Sequence, residues 1–241
     1  MITLGLVFVF ISMFYVSSFL AILGVAFFFG GAIILYIAPT KQVPITMLYV
    51  DAEVSASNIE RIINEWGMSQ LGIYLPPRNL KTTDSSIVFI PKKTKNELPS
   101  PDEITDTLIT NQKDGVLIVP PGSGLSHLFE EELGFSFTKI NLVQVQFKLP
   151  KLLVKSLELA EEAEIQIQGN TVTVEITGSV LDEICRKTDS QPKTHKQVGC
   201  LLSSAIACTL AKVTGKPVII KKETRSQEIK TTHIEYQILE E

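Results

Sequence analysis

The pattern of apolar and polar positions divides the chain near residue 40. From Ile2 to Ala38 the apolar run is broken only by Thr3, Ser12, Ser17 and Ser18, and the first charged residue is Lys41. As one helix the run would reach about 55 Å, against a bilayer hydrocarbon core of roughly 30 Å. The pattern therefore predicts a transmembrane helical hairpin within residues 1–40. One span covers Ile2–Val16, a turn falls at Ser17–Ser18, and a second span covers Phe19–Ile37. A single, strongly tilted span is the alternative, because the first half is only about fifteen residues long. A cleaved signal fits less well, since no basic residue precedes Lys41 and the apolar stretch is too long. Gly24, Gly30 and Gly31 would let the two spans approach closely.

Beyond the linker bracketed by Pro39 and Pro44, the periodicity changes. Leu48, Val50, Val54, Ile59, Ile62, Ile63 and Trp66 recur at helical spacing, and Gly67 stops that helix. Three β-like runs follow, Leu71–Leu75, Ile87–Ile90 and Val116–Val119, and each runs into proline, which removes a ladder donor. Polar Lys92–Asp114 separates the last two, with a short helix predicted at Glu103–Ile109. Leu125–Leu133 reads as a helix closed by Gly134. Residues 45–138 thus form a mixed α/β module.

Residues 139–241 read as a second module. A helix is predicted over Leu142–Glu162, disturbed at Pro150. Ile165 and Ile167, then Val172, Val174 and Ile176, alternate around the two-residue turn Gly169–Asn170, which is a β-hairpin pattern. Ser179 caps a short helix through Arg186, and a helix over Gln197–Val213 ends at Gly215–Lys216–Pro217. Strands Val218–Lys222 and His233–Leu239 close the chain. The order predicts an α+β fold with helices on one face of an antiparallel sheet.

Charge narrows the partners. A net charge of −4 argues against a nucleic-acid face. The Ser17–Ser18 turn carries no Lys or Arg, whereas Lys41 and Arg61 follow the second span, which favours a cytoplasmic soluble part. Cys185, Cys200 and Cys208 are odd in number, and Cys200 and Cys208 share a predicted helix, so a reduced compartment fits. Lys92, Lys93 and Lys95 form a small loop patch, read as solvated.

No catalytic set assembles, so no catalytic or metal residue, and no cofactor, is assigned. The loop Pro120–Pro121–Gly122–Ser123–Gly124 joins a strand to a helix N-terminus, but lacks the Lys-Ser/Thr of a phosphate loop and reads as a turn and cap. Cys200, Ser204, Cys208 and Ala211 form a small-residue stripe suited to close packing. His127, His195 and His233 stand apart in sequence, and Glu130–Glu131–Glu132 reads as a solvated helix face.

From Gly199–Cys200 to Ile238 the chain resembles the C-terminal part of 4-vinyl-reductase-type ligand-binding domains. The resemblance rests on the Gly-Cys helix, on Gly215–Lys216–Pro217–Val218 and on Glu223–Thr224–Arg225. The family's later cysteines would fall near Ser226 and Ile234, so its metal site is not preserved. The resemblance implies a scaffold that encloses a small hydrophobic ligand or mediates dimerisation. The whole layout also resembles a family of uncharacterised archaeal two-span membrane proteins. That second likeness is carried by Ile73–Tyr74–Leu75–Pro76, Val88–Phe89–Ile90–Pro91, Leu128–Phe129–Glu130–Glu131, Val172–Thr173–Val174 and Gly178–Ser179. The sequence reading is a membrane-anchored, non-enzymatic binding or assembly module, with a tethered sensor of a hydrophobic ligand as the alternative. Its partners are the bilayer, through residues 2–38, and a protein or second copy.

Overall fold

A computed structural model describes residues 2–37, 45–77, 86–92, 110–112, 115–188, 191–226 and 229–240. The chain forms two compact units, Met1–Ile45 and Thr46–Glu241. The Pro39–Pro44 linker, the Lys93 and Lys95 part of the lysine patch and the helix expected at Glu103–Ile109 lie outside the described residues.

The first unit is a helix pair, α1 (Ile2–Tyr15) and α2 (Ser18–Ile37), joined by a sharp turn in which Val16 takes a positive φ of 47°. Glycine sets the pair's closeness. A Cβ on Gly5 would lie 2.6 Å from the backbone N of Phe28, and one on Gly24 would lie 2.7 Å from that of Val9. Small residues at both points let the backbones touch. Gly30, by contrast, faces open space. The hydroxyl of Ser12, a polar break in the apolar run, donates to the Val9 carbonyl at 2.7 Å. At 14 residues α1 reaches only about 21 Å, whereas the 20 residues of α2 reach about 30 Å. The expected pair is therefore present, but the length of α1 falls short of a full crossing. Among the described residues the one stretch long and apolar enough to cross a membrane is Pro192–Thr214, and most of it is buried inside the second unit.

The second unit is α+β. Its helices are α3 (Ile45–Trp66), α4 (Ser123–Leu133), α5 (Leu142–Lys151), α6 (Asp182–Thr188), α7 (Pro192–Val198) and α8 (Leu201–Thr214). Its strands are β1 (Ile73–Leu75), β2 (Ile87–Pro91), β3 (Thr110–Gln112), β4 (Gly115–Ile118), β5 (Glu162–Gln168), β6 (Thr171–Thr177), β7 (Val218–Ser226) and β8 (Thr231–Ile238). They make one antiparallel sheet in the order β3-β4-β2-β1-β7-β8-β6-β5. The segments 45–138 and 139–241 each supply half of it, joined where Tyr74 of β1 pairs with Val218 of β7. The boundary expected near residue 138 thus falls inside one compact unit.

One sheet face carries the helices. Tyr74, Val88, Ile90, Val116, Ile118, Val174, Val218 and Tyr236 pack in one core with Ile63, Phe129, Leu149, Ile184 and the inner residues of α8. A smaller cluster, Ile73, Leu75, Phe89 and Leu117, occupies the other face of β1, β2 and β4. α8 is the central helix, buried from Leu202 to Lys212.

Several elements depart from the sequence reading. The helix from Leu142 stops well before Glu162: after Pro150, which cannot donate, it widens to a π-turn at Leu152–Ser156. The helix expected over Gln197–Val213 is two helices, divided at Gly199, whose φ is 75°. β7 extends past Lys222 to Ser226.

Candidate functional site

A largely buried polar cluster lies where α7 meets β7, and a defect in strand phase creates it. In β7, Val218 and Ile220 face the core opposite Ile238 and Tyr236. Simple alternation would send Lys222 and Thr224 the same way. A bulge between Ile220 and Lys222 adds one residue, so Glu223 pairs opposite core residue Ile234 and Arg225 opposite Thr232. The bulge aims these two side chains at the helices.

There Glu223 Oε1 stands 2.6 Å from Arg225 Nη2 and 3.2 Å from His195 Nε2, and Arg225 Nη2 lies 3.0 Å from the same imidazole nitrogen. The Glu223 side chain is only 4% exposed, against 22% for His195 and 17% for Arg225. Burial alone would raise the Glu223 carboxyl, but hydrogen bonding and charge from His195 and the charge of the Arg225 guanidinium outweigh it and hold it below the usual range. When Arg225 donates to Nε2, the imidazole is neutral and carries its proton on Nδ1. An imidazole protonated on Nε2 donates to Glu223 instead.

α7 is anchored on its far side. Glu60 of α3 accepts from the Thr194 N–H at 2.6 Å and from its hydroxyl at 2.8 Å, and Lys193 Nζ donates to Asn64 at 2.5 Å. Cys185 of α6 and Cys200, the residue preceding α8, form a disulfide with Cα atoms 5.3 Å apart. The odd count thus resolves into one bridge and one thiol, Cys208, and the cysteines no longer argue for a reduced compartment. The two sulfurs are fifteen residues apart in sequence and meet only because α6 folds back on the α7–α8 junction.

Ser203, Tyr74 and Tyr236 beside the cluster are engaged with backbone groups. Ser203 Oγ accepts from the Cys200 N–H at 2.8 Å and donates to the Cys200 carbonyl at 3.3 Å. Tyr74 donates to the Val198 carbonyl, and Tyr236 donates to that of Ser203 at 3.0 Å. Burial, with nearby negative charge, pushes both phenols well above their ordinary value. Burial also pushes the Cys208 thiol up to about 12, so it stays a protonated, inert group. The arrangement can hold a carboxylate charged and fix the α7–α8 junction on the sheet.

The other sequence candidates separate. The glycine loop is structural: the Gly122 N–H donates to Ser204 Oγ at 3.0 Å, and a Cβ on Gly122 would lie 2.0 Å from the Ala205 N. The small residues of α8 serve this close approach. Glu130 does not belong to a solvated face. It turns inward to Lys212 Nζ at 2.8 Å and accepts from the Phe137 N–H and the Ser136 hydroxyl, both at 2.7 Å. Glu131 instead meets His127 at 3.4 Å on the surface, and His233 meets Glu175 at 3.5 Å across β8–β6. Each histidine thus has a carboxylate neighbour, although the sequence reading left all three standing apart. Among the described residues no group of three or more His, Cys, Asp or Glu is placed to hold a metal ion. A cleft of about 490 Å³ beside Glu130 and Lys212 and one of about 510 Å³ beside Glu183 and Arg186 are open and charge-lined.

Fold and site together define an α+β domain, helices over an antiparallel sheet, preceded by an apolar helix pair. The chain belongs to the family described as a domain of unknown function, DUF7982, whose model matches residues 1–237. No curated protein and no solved structure matches it.

Proposed function

We propose that this protein is a membrane-anchored, non-enzymatic binding or assembly module, with α1–α2 in the bilayer and the second unit on the cytoplasmic side. The observation that carries the reading is the surface of the helix pair. Phe10, Met13, Phe14, Phe19, Ile22, Phe29 and Ile34 are each more than half exposed, and residues 2–37 contain no charge. An apolar surface of this extent calls for lipid or a partner to cover it. Tyr15, at the turn, and Tyr36, near the end of α2, are 75% and 91% exposed, and amphipathic rings at the two ends of an apolar pair suit the two headgroup layers. Lys41 and Arg61, set against a turn with no basic residue, support the cytoplasmic side.

The finer likeness to archaeal two-span membrane proteins accords with this reading. A tethered sensor of a small hydrophobic ligand is the second reading, supported by the 4-vinyl-reductase-like segment from Gly199 to Ile238. That segment forms α8, β7 and β8, whose inner side chains pack against one another in the core. We therefore favour the first reading. Protease treatment of sealed cells and of inverted vesicles tests the placement. The second unit should be cut only in inverted vesicles; cutting in intact cells would overturn the cytoplasmic side.

A further inference from the structure

In a chain of net charge −4, the stretch from Leu133 to Leu157 holds Lys139, Lys148, Lys151 and Lys155 and no acidic residue. α5 lies at its centre. Val145 and Leu149 bury one face, while Val143 and Phe147, 60% and 62% exposed, stand four residues apart on the other, with Lys151 next in the same row. None of the four lysines forms an ion pair among the described residues, and Lys148 lies 4.4 Å over the Phe135 ring. Lys151 and Lys155 border a cleft that Glu161, Glu162, Glu164 and Glu175 also line, whereas Lys139 and Lys148 lie outside that cleft.

We propose that this face is an interfacial docking surface for anionic lipid headgroups, Val143 and Phe147 entering the headgroup–acyl boundary while the lysines meet the negative charge. Two exposed apolar side chains, with Lys151 next in their row and Lys139, Lys148 and Lys155 close by in sequence, suit a helix lying in a membrane interface. Each lysine near an anionic surface contributes about a fivefold preference. The inference deepens the anchored reading and rests on it only for the nearness of a bilayer.

The test uses the full chain carrying Phe147→Cys with an NBD fluorophore, reconstituted into vesicles of phosphatidylcholine alone or with phosphatidylglycerol. The native cysteines do not compete, since two are paired and Cys208 is buried. Emission should shift to the blue and rise several-fold only with phosphatidylglycerol, and the response should vanish in a variant with all four lysines changed to Gln. A label that stays in water, an equal shift in neutral vesicles, or a shift that grows with protein concentration overturns the proposal, the last in favour of a second copy. Carbonate extraction of the same vesicles separates the two readings. Retention without the shift overturns docking and leaves the anchor, whereas release with the shift retained overturns the anchor and supports docking.

Discussion

Glu223 stands opposite Ile234 in the β7–β8 ladder, while Ile220 stands opposite Tyr236, so three steps on one strand match two on the other. The extra residue turns a carboxylate toward the core, where Arg225 and His195 hold it. Removing the carboxylate takes from Arg225, less than a fifth of whose side chain is exposed, its 2.6 Å ion pair with Glu223. Glu223→Ala should cost about 3 kcal/mol, the lower end for breaking a buried pair. Chemical denaturation of the variant against the parent measures it, and a loss below 1 kcal/mol would mean the cluster does not brace the fold.

The acid limb of the stability curve follows from two carboxylates. Burial pushes Glu130 up, but Lys212, the Phe137 N–H and the Ser136 hydroxyl more than offset it, so its folded pKa is depressed, as is that of Glu223. A depressed carboxylate contributes stability above its unfolded pKa of about 4.3 and loses that contribution as pH falls through the folded value. Stability should therefore drop below about pH 4, and the double variant Glu130→Gln, Glu223→Gln should show a flatter drop from a lower plateau. Denaturation midpoints between pH 3 and 7 check the slope.

Gly122 and Ala205 meet backbone to backbone, with 2.0 Å left for a Cβ. Gly122→Ala should destabilise by about 3 kcal/mol, the upper range for overpacking. Gly124→Ala, where nothing lies within 4 Å of the added Cβ, should change stability little. The two melting curves distinguish close packing from a general need for glycine in the loop.

Under denaturing, non-reducing conditions a thiol reagent should modify one cysteine, Cys208, and after reduction three. Intact mass reads the difference. Reduction should lower stability by about 3 kcal/mol, as expected for a closed loop of ~15 residues. In the folded protein Cys208 should resist the reagent, because it is buried and its thiol is pushed up to about 12.

Regular patterns were legible in the sequence and exceptions were not. The β5–β6 hairpin falls where Ile165, Ile167, Val172 and Val174 alternate, with Ile165 paired to Val174 as the Gly169–Asn170 turn requires. β3 escapes because Thr110–Asn111–Gln112 has no apolar alternation and is held by β4 alone. β7 beyond Lys222 escapes because the bulge inverts the phase, so its polar residues read as a loop. Glu223 and Arg225 entered the sequence reading only through a family likeness. Their meeting with His195, about thirty residues away, is tertiary and carries no local signal. Glu130 was misread because Lys212 lies 82 residues on, and nothing in the Glu130–Glu132 run says which carboxylate turns inward.

The helix pair decides the central claim. Gly5 and Gly24 bring α1 and α2 into backbone contact, which leaves an uncharged outer surface that water would not favour. Alkaline carbonate extraction of membranes from cells making the full chain is the direct measurement. The protein should remain in the membrane pellet, and a chain lacking residues 1–41 should not. Release of the full chain into the carbonate supernatant would contradict the anchor.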